Sequence, residues 1–252
     1  MRIVIIGAGS VGTNLHHAFE LKGIRTELVH ARPLTSDQQS VVSDQQSVVS
    51  SQLPKADCYI YAVADQALEA VVAKVEAPQA LHLHTSGSMP LTVFGADKPH
   101  AGVLYFFQSF SREVLIDDWT NIPCFIEGRN IDDIAAIYSL AQCLTSRIYE
   151  ATQHDRERLH IAGVFANNYT NLMYRIAAEV LKDTQIPFEA LLPLIDRTAE
   201  KVHSLAPKDA QTGPAQRGDK AVMAHHEQIL AATPYGEVYR ALAALIEKEQ
   251  NR

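Results

Sequence analysis

His160, Asn167 and Asn171 interrupt an otherwise apolar stretch and, with Val164 between them, follow one another at steps of four, three and four residues. On a helix that spacing sets them along one stripe. A histidine with an ordinary pKa near neutrality can exchange a proton with a carbonyl or hydroxyl, and an asparagine amide can orient the same oxygen. His160 and Asn167 are therefore candidate catalytic groups and Asn171 a candidate substrate contact; the alternative is that the stripe bonds to a neighbouring element. A second cluster is Thr85-Ser86-Gly87-Ser88, whose hydroxyls and backbone N–H groups follow a strand-like run. Ser86 is expected to serve both a nicotinamide ribose and the chemistry. A third is Gln211 to Asp219, where Arg217 stands among small residues and is suited to fork a substrate carboxylate, or else to pair with Asp219, the expected cap of the next helix.

The glycine run Gly7-Ala8-Gly9-Ser10-Val11-Gly12 follows an Ile/Val strand and opens a helix with Val11, Leu15, Ala18 and Phe19 on one face. The first glycine allows a tight turn, the second a close approach of backbone to a pyrophosphate, and the third close strand–helix packing. The helix amino end offers N–H donors and a positive dipole end to phosphate. At the end of the second strand the sequence reads Val29-His30-Ala31-Arg32, without the acid that would take a ribose 2′-hydroxyl. His30 and Arg32 are suited to a 2′-phosphate instead, so NADP(H) is the expected cofactor. Val63, Ala64 and Asp65, at the end of the third strand, are further cofactor contacts, with Asp65 alternatively a cap for the following helix. His82 and His84 are read as pointing to opposite sides of their strand, each able to be a structural histidine.

These groups need a scaffold, and the rhythm of the chain supplies one. Strands are expected at 2–6, 26–30, 58–63, 81–84, 101–107, 124–127 and 147–150, with helices at 10–22, 66–74 and 131–144. This is the alternation of an α/β fold, a Rossmann-type doubly wound sheet. After about residue 152 only helical patterns follow, at 155–183, 187–205, 219–232 and 236–249. The expected division is a nucleotide-binding domain, 1–152, and an all-α domain, 153–252. A heptad, Ser36 to Val42, is repeated at 43–49 and reads as a tandem duplication in a tolerant surface segment.

Composition narrows the partners. With 252 residues, 47% hydrophobic, 20% charged and a net charge of −7, the chain can build a large core and has no basic patch for nucleic acid or anionic membrane. The apolar region 159–181 contains too many polar residues to span a lipid bilayer. Three cysteines, Cys58, Cys124 and Cys143, suit buried thiols in a reducing cytoplasm rather than disulfides or a metal site. The expected partner is a small-molecule substrate, and no metal is expected.

The loop Gly7–Gly12, the turn His84-Thr-Ser-Gly87, the segment Phe107-Gln-Ser-Phe110-Ser, the helix start His160-Ile-Ala-Gly163-Val-Phe-Ala-Asn167-Asn and, most specifically, Thr212-Gly213-Pro-Ala-Gln-Arg217-Gly218-Asp219 resemble the Rossmann-like family with a DUF2520 C-terminal domain. The resemblance covers nearly the whole chain. It implies an NADP- or deazaflavin-dependent oxidoreductase related to 6-phosphogluconate dehydrogenase-like and pyrroline-carboxylate reductase-like enzymes, with a helical domain that commonly forms a homodimer. The chain departs from the family where a His-Pro-Leu-Gln-like run is replaced by Tyr105-Phe-Phe-Gln108, which leaves Gln108 as a substrate candidate. It also has His160 where related hydroxyacid dehydrogenases carry a catalytic lysine. The expected activity is hydride transfer between NADPH and a small carbonyl, imine or hydroxy compound; the alternatives are a non-catalytic NADP(H)-binding sensor and a deazaflavin-dependent reductase.

Overall fold

The computed structural model describes residues 1–30 and 53–250; Arg32 and the duplicated segment at 36–49 lie outside them. The chain forms two compact units, Met1–Asn167 and Asn168–Arg252.

The first unit is built on a seven-stranded sheet of order β2-β1-β3-β4-β5-β6-β7. β1 (Ile3–Ile6), β2 (Thr26–Val29), β3 (Cys58–Tyr61), β4 (Leu81–His84) and β5 (Ala101–Phe106) run parallel. β6 (Cys124–Gly128) pairs with β5 in the opposite sense, and β7 (Ile148–Glu150) runs with β6. The Ile-Val-Ile-Ile run of β1 is buried throughout, as a central strand covered on both faces requires. α1 (Ser10–Leu21) carries the chain to β2 on one side of β1, whereas β3 pairs on the other. The order therefore switches at β1, and in open sheets of this kind ligands bind beyond the carboxyl ends of the strands at such a switch.

Side-chain alternation separates two cores. On one face Ile3, Ile5, Ile60, Leu83 and Leu104 meet Leu15 and Phe19 of α1 and Ile137 and Leu140 of α3 (Ile131–Gln142). On the other, Val4, Ile6, Tyr59 and Tyr61 meet Leu68 and Val72 of α2 (Asp65–Val72) and Phe94 of a 3₁₀ turn, Leu91–Phe94. Residues two apart in a strand share a face, so the expectation that His82 and His84 point oppositely is corrected: both rings meet Phe94.

α4 (Gln153–Gly163) follows β7 and starts two residues before the expected position, under a capping box of Thr152 and Asp155. The expected single helix over 155–183 changes winding on the way, through a π-helical segment at Val164–Tyr169, and resumes as α5 (Thr170–Leu181). Cys58 and Cys124 are buried as expected; Cys143 is exposed, because it sits at the end of α3 on its outer side.

The second unit contains α5, α6 (Leu192–Lys201), two short helices, α7 (Pro207–Ala210) and α8 (Pro214–Arg217), then α9 (Lys220–Leu230) and α10 (Gly236–Gln250). Its buried apolar cluster comprises Ala215, Met223 and Ala243, with Ile246 packed against them.

Candidate active site

The glycine loop leaves β1 with its backbone already committed. Gly7 donates to the Val29 carbonyl at 2.8 Å and adopts φ 115°, which a side chain would strain. A Cβ on Gly7 would stand 2.4 Å from the Ala62 carbonyl, and one on Gly12 would stand 1.8 Å from the Gly7 carbonyl. Gly9 differs: among the described residues a Cβ there meets no atom nearer than the Ala62 carbonyl at 4.0 Å. The loop is thus closed behind Gly7 and Gly12 and open in front of Gly9. Among the described residues no side chain caps α1 at Gly9, and its first-turn amides are donors for an external acceptor. This cradle fits the pyrophosphate of a dinucleotide.

The carboxyl ends of β3, β4 and β5 hold a second, side-chain-built group. Asp65 begins α2, and Ala64 is the N-cap, so the alternative in which Asp65 caps that helix is corrected. Its carboxylate accepts instead from the Ser88 hydroxyl at 2.5 Å, joining the loops after β3 and β4. Ser86 Oγ accepts the N–H groups of Ser88 and Met89, each at 3.1 Å, and thereby holds the turn. That turn brings Gly87 against Tyr105; a Cβ on Gly87 would lie 2.8 Å from the ring. The Tyr105 hydroxyl and His160 Nδ1 are 3.3 Å apart. Three residues further along α4, Gly163 lets Phe107 approach so closely that a Cβ would lie 2.7 Å from its ring. Gly87 thus makes room for Tyr105 of β5, and Gly163 of α4 makes room for Phe107 just beyond it.

Arg156 fixes the height of α4. It is fully buried and donates to the Glu127 carboxylate, to the Ala151 carbonyl at 3.2 Å and to the Met89 carbonyl at 2.9 Å. The charge also acts on its surroundings. Burial, then Arg156, pushes the His84 imidazole down to about 3, with Asp65 opposing. His84 Nδ1 accepts from the Ser86 N–H at 3.2 Å, which leaves the proton of the neutral ring on Nε2. His84 Nε2 and Arg156 Nε are buried without a hydrogen-bond partner among the described residues. Burial, and secondarily Asp65, pushes the Tyr105 phenol up to about 12, with Arg156 opposing. Tyr105 is therefore a neutral hydrogen-bond donor at physiological pH.

The remaining sequence-derived residues are distributed unevenly. Gly7, Ala8, Gly9, Ser10, Val11 and Gly12 form the loop, and Val63, Ala64 and Asp65 lie beside it beyond β3, whose neighbour Ala62 packs on Gly7. His30 sits half-buried directly after β2. Gln108 is exposed and accepts from the Ser109 N–H at 2.8 Å. Asn167 is exposed within the π-helical segment, where underwinding alters the register expected from a regular helix. Asn171 and Arg217 are exposed in the second unit. Asp219 caps α9 by accepting from Val222 N–H, and no ion pair joins it to Arg217 among the described residues. No group of His, Cys, Asp and Glu among the described residues could hold a metal, and no described helix is long and apolar enough to cross a membrane. Tyr105 and Arg156 escaped the sequence reading. The signal for Tyr105 was alternation along β5, which puts residues 103, 105 and 107 on one face.

A family profile described as a domain of unknown function, DUF2520, matches residues 122–246. A candidate NADP oxidoreductase from Bacteroides fragilis is 37% identical, with 98% of each chain covered and a TM-score of 0.82. A reductive aminase from Aspergillus terreus, in complex with NADPH and ethyl levulinate, has a TM-score of 0.63 at 15% identity, covering 99% of this chain and 93% of that one. Pyrroline carboxylate reductase from Plasmodium falciparum, with NADP bound, has a TM-score of 0.57 at 12% identity and 98% coverage of both chains. These last two similarities are of fold. No curated protein matches the chain.

Proposed function

The chain belongs to the Rossmann-like DUF2520 family, and from that premise we propose that it is an NADP(H)-dependent oxidoreductase acting on a small carbonyl, imine or hydroxy compound. The observation that carries this reading is the contrast among three glycines: Gly7 and Gly12 are packed against backbone, whereas Gly9, at the start of α1, meets no described atom nearer than 4.0 Å and no described side chain caps the helix there. The description of the Bacteroides fragilis relative as a candidate NADP oxidoreductase points the same way. Residues 7–12 would hold the diphosphate, His30 and Arg32 the 2′-phosphate, and Val63, Ala64, Asp65 and Ser86 the remainder of the dinucleotide. When bound, the reduced nicotinamide supplies hydride.

The protein's own groups handle the proton. As a carbonyl carbon gains hydride, its oxygen takes the proton of the Tyr105 phenol, and protonated His160 returns one from Nδ1 to the phenolate. The imidazole ends neutral and is recharged from solvent, to which it is exposed. In the oxidative direction each transfer reverses. Asn167 orients the same oxygen, Ser86 keeps the turn that seats Tyr105, and Gln108 is a further substrate contact. Residues 1–152 hold the nucleotide, and residues 153–252 supply substrate contacts and a homodimer surface. Supporting that surface, Leu192, Leu194, Val202, Leu242 and Leu245 are exposed on the helical unit, whose own core is small. A cytoplasmic location fits the free thiols.

Calorimetry with NADPH, NADH and a reduced deazaflavin tests the cofactor assignment. NADPH is expected to bind about tenfold or more tighter than NADH, with Arg32→Ala erasing the difference. Equal affinities would refute the assignment.

A further inference from the structure

Arg112 has no part in the activity above, yet its setting is constructed. Its guanidinium donates to the carbonyl of Ala8, inside the glycine loop and 104 residues away in sequence. The backbone around Arg112 is held by Asn14, a fully buried amide in α1. Asn14 Nδ2 donates to the Ser10 carbonyl at 2.9 Å and to the Ser111 carbonyl at 2.5 Å, and Oδ1 accepts the Ile116 N–H at 3.0 Å. One side chain thus ties both ends of the segment 111–116 to the helix that begins at the loop. Trp119 secures the base: Nε1 donates to the Ile116 carbonyl at 2.8 Å, and the indole stacks on Phe110.

Charge is arranged to match. Neither residues 7–13 nor the first turn of α1 contains a charged side chain. Of the carboxylates nearest Arg112 in sequence, Asp117 pairs with His17 at 2.7 Å, and the pKa of Glu113 is lowered first by the Ser111 hydroxyl and only last by the Arg112 charge. No ion pair to Arg112 occurs among the described residues. A carbonyl acceptor does not neutralise a guanidinium, and a planar fork of N–H donors suits phosphate oxygens.

We infer that Arg112 is a diphosphate ligand, held over the glycine loop by Asn14 so that it closes on the bridging phosphates as they settle on the α1 amides. The inference rests on the dinucleotide reading of the loop and adds the positive charge that the loop itself lacks. The test is titration calorimetry of the full chain and of Arg112→Ala and Arg112→Lys, using NADPH, inorganic pyrophosphate and adenosine 2′-phosphate. Arg112→Ala should weaken NADPH and pyrophosphate about ten- to hundredfold, as expected for a lost charged hydrogen bond. Arg112→Lys should fall between, adenosine 2′-phosphate should be unaffected, and the thermal midpoint should not move. Unchanged affinity of both variants for NADPH and pyrophosphate would overturn the assignment. Arg112-dependent pyrophosphate binding by a chain that ignores NADPH would keep it and refute the dinucleotide reading. A wild-type chain that binds neither ligand would refute both.

Discussion

The glycine loop and the Tyr105–His160 group are built from different materials. At the glycine loop the geometry belongs to the backbone: φ 115° at Gly7, the 1.8 Å that forbids a Cβ on Gly12, and the open front of Gly9. At the Tyr105–His160 end it belongs to side chains from separate segments, with Gly87 and Gly163 clearing the space and Arg156 setting the helix. The first kind of site is written in one short stretch of sequence. The second exists only after the sheet has assembled.

The most damaging way to probe this contrast is Gly12→Ala, since the added methyl would collide with backbone that cannot retreat. A loss of about 3 kcal/mol or more of folding stability is expected in urea unfolding. Next are Tyr105→Phe and His160→Ala, each expected to lower the rate of hydride transfer about 10²–10³-fold while leaving NADPH affinity unchanged. Rapid-mixing kinetics and equilibrium binding, read side by side, check both halves, and an unaltered rate in both variants would remove the proton relay. Gly9→Ala should do the reverse of Gly12→Ala, weakening NADPH by about tenfold or more with no change in melting, because its methyl enters the nucleotide space and not the protein.

A further effect appears only in acid and concerns His84. Its folded pKa is lowered to about 3 from 6.5, so between those values the unfolded chain binds a proton that the native ring refuses. Stability must therefore fall as pH drops below 6.5, by up to about 1.4 kcal/mol per pH unit from this group. Urea unfolding at several pH values should show that slope, and His84→Gln should flatten it. A variant with the wild-type slope would place the titration elsewhere.

The same contrast explains what could be read in advance. The run of Ile and Val followed by three glycines is a local instruction, and the strand, loop and helix appear where their residues call for them. The antiparallel turn into β6 was not legible, because pairing depends on register with β5. In sequence Tyr105 marks only a departure from the family's run, because its partner lies 55 residues away. The reading that sets His82 and His84 on opposite faces overlooks that a period of two places them together. Asp65 looked like a cap, and only the approach of Ser88 reveals its bond. Arg156 offered no signal in an apparently polar helix start, since its burial depends on Glu127 and Met89.

The central claim is that the loop and the Tyr105–His160 pair serve one hydride transfer. The direct measurement is incubation with NADPH carrying deuterium at the transferable position, in a fractionated metabolite extract, followed by mass analysis. Label is expected in a small reduced product with the wild-type chain and is expected to be lost with His160→Ala. Tight NADPH binding with no labelled product in any fraction would contradict it and leave a nucleotide sensor in place of an enzyme.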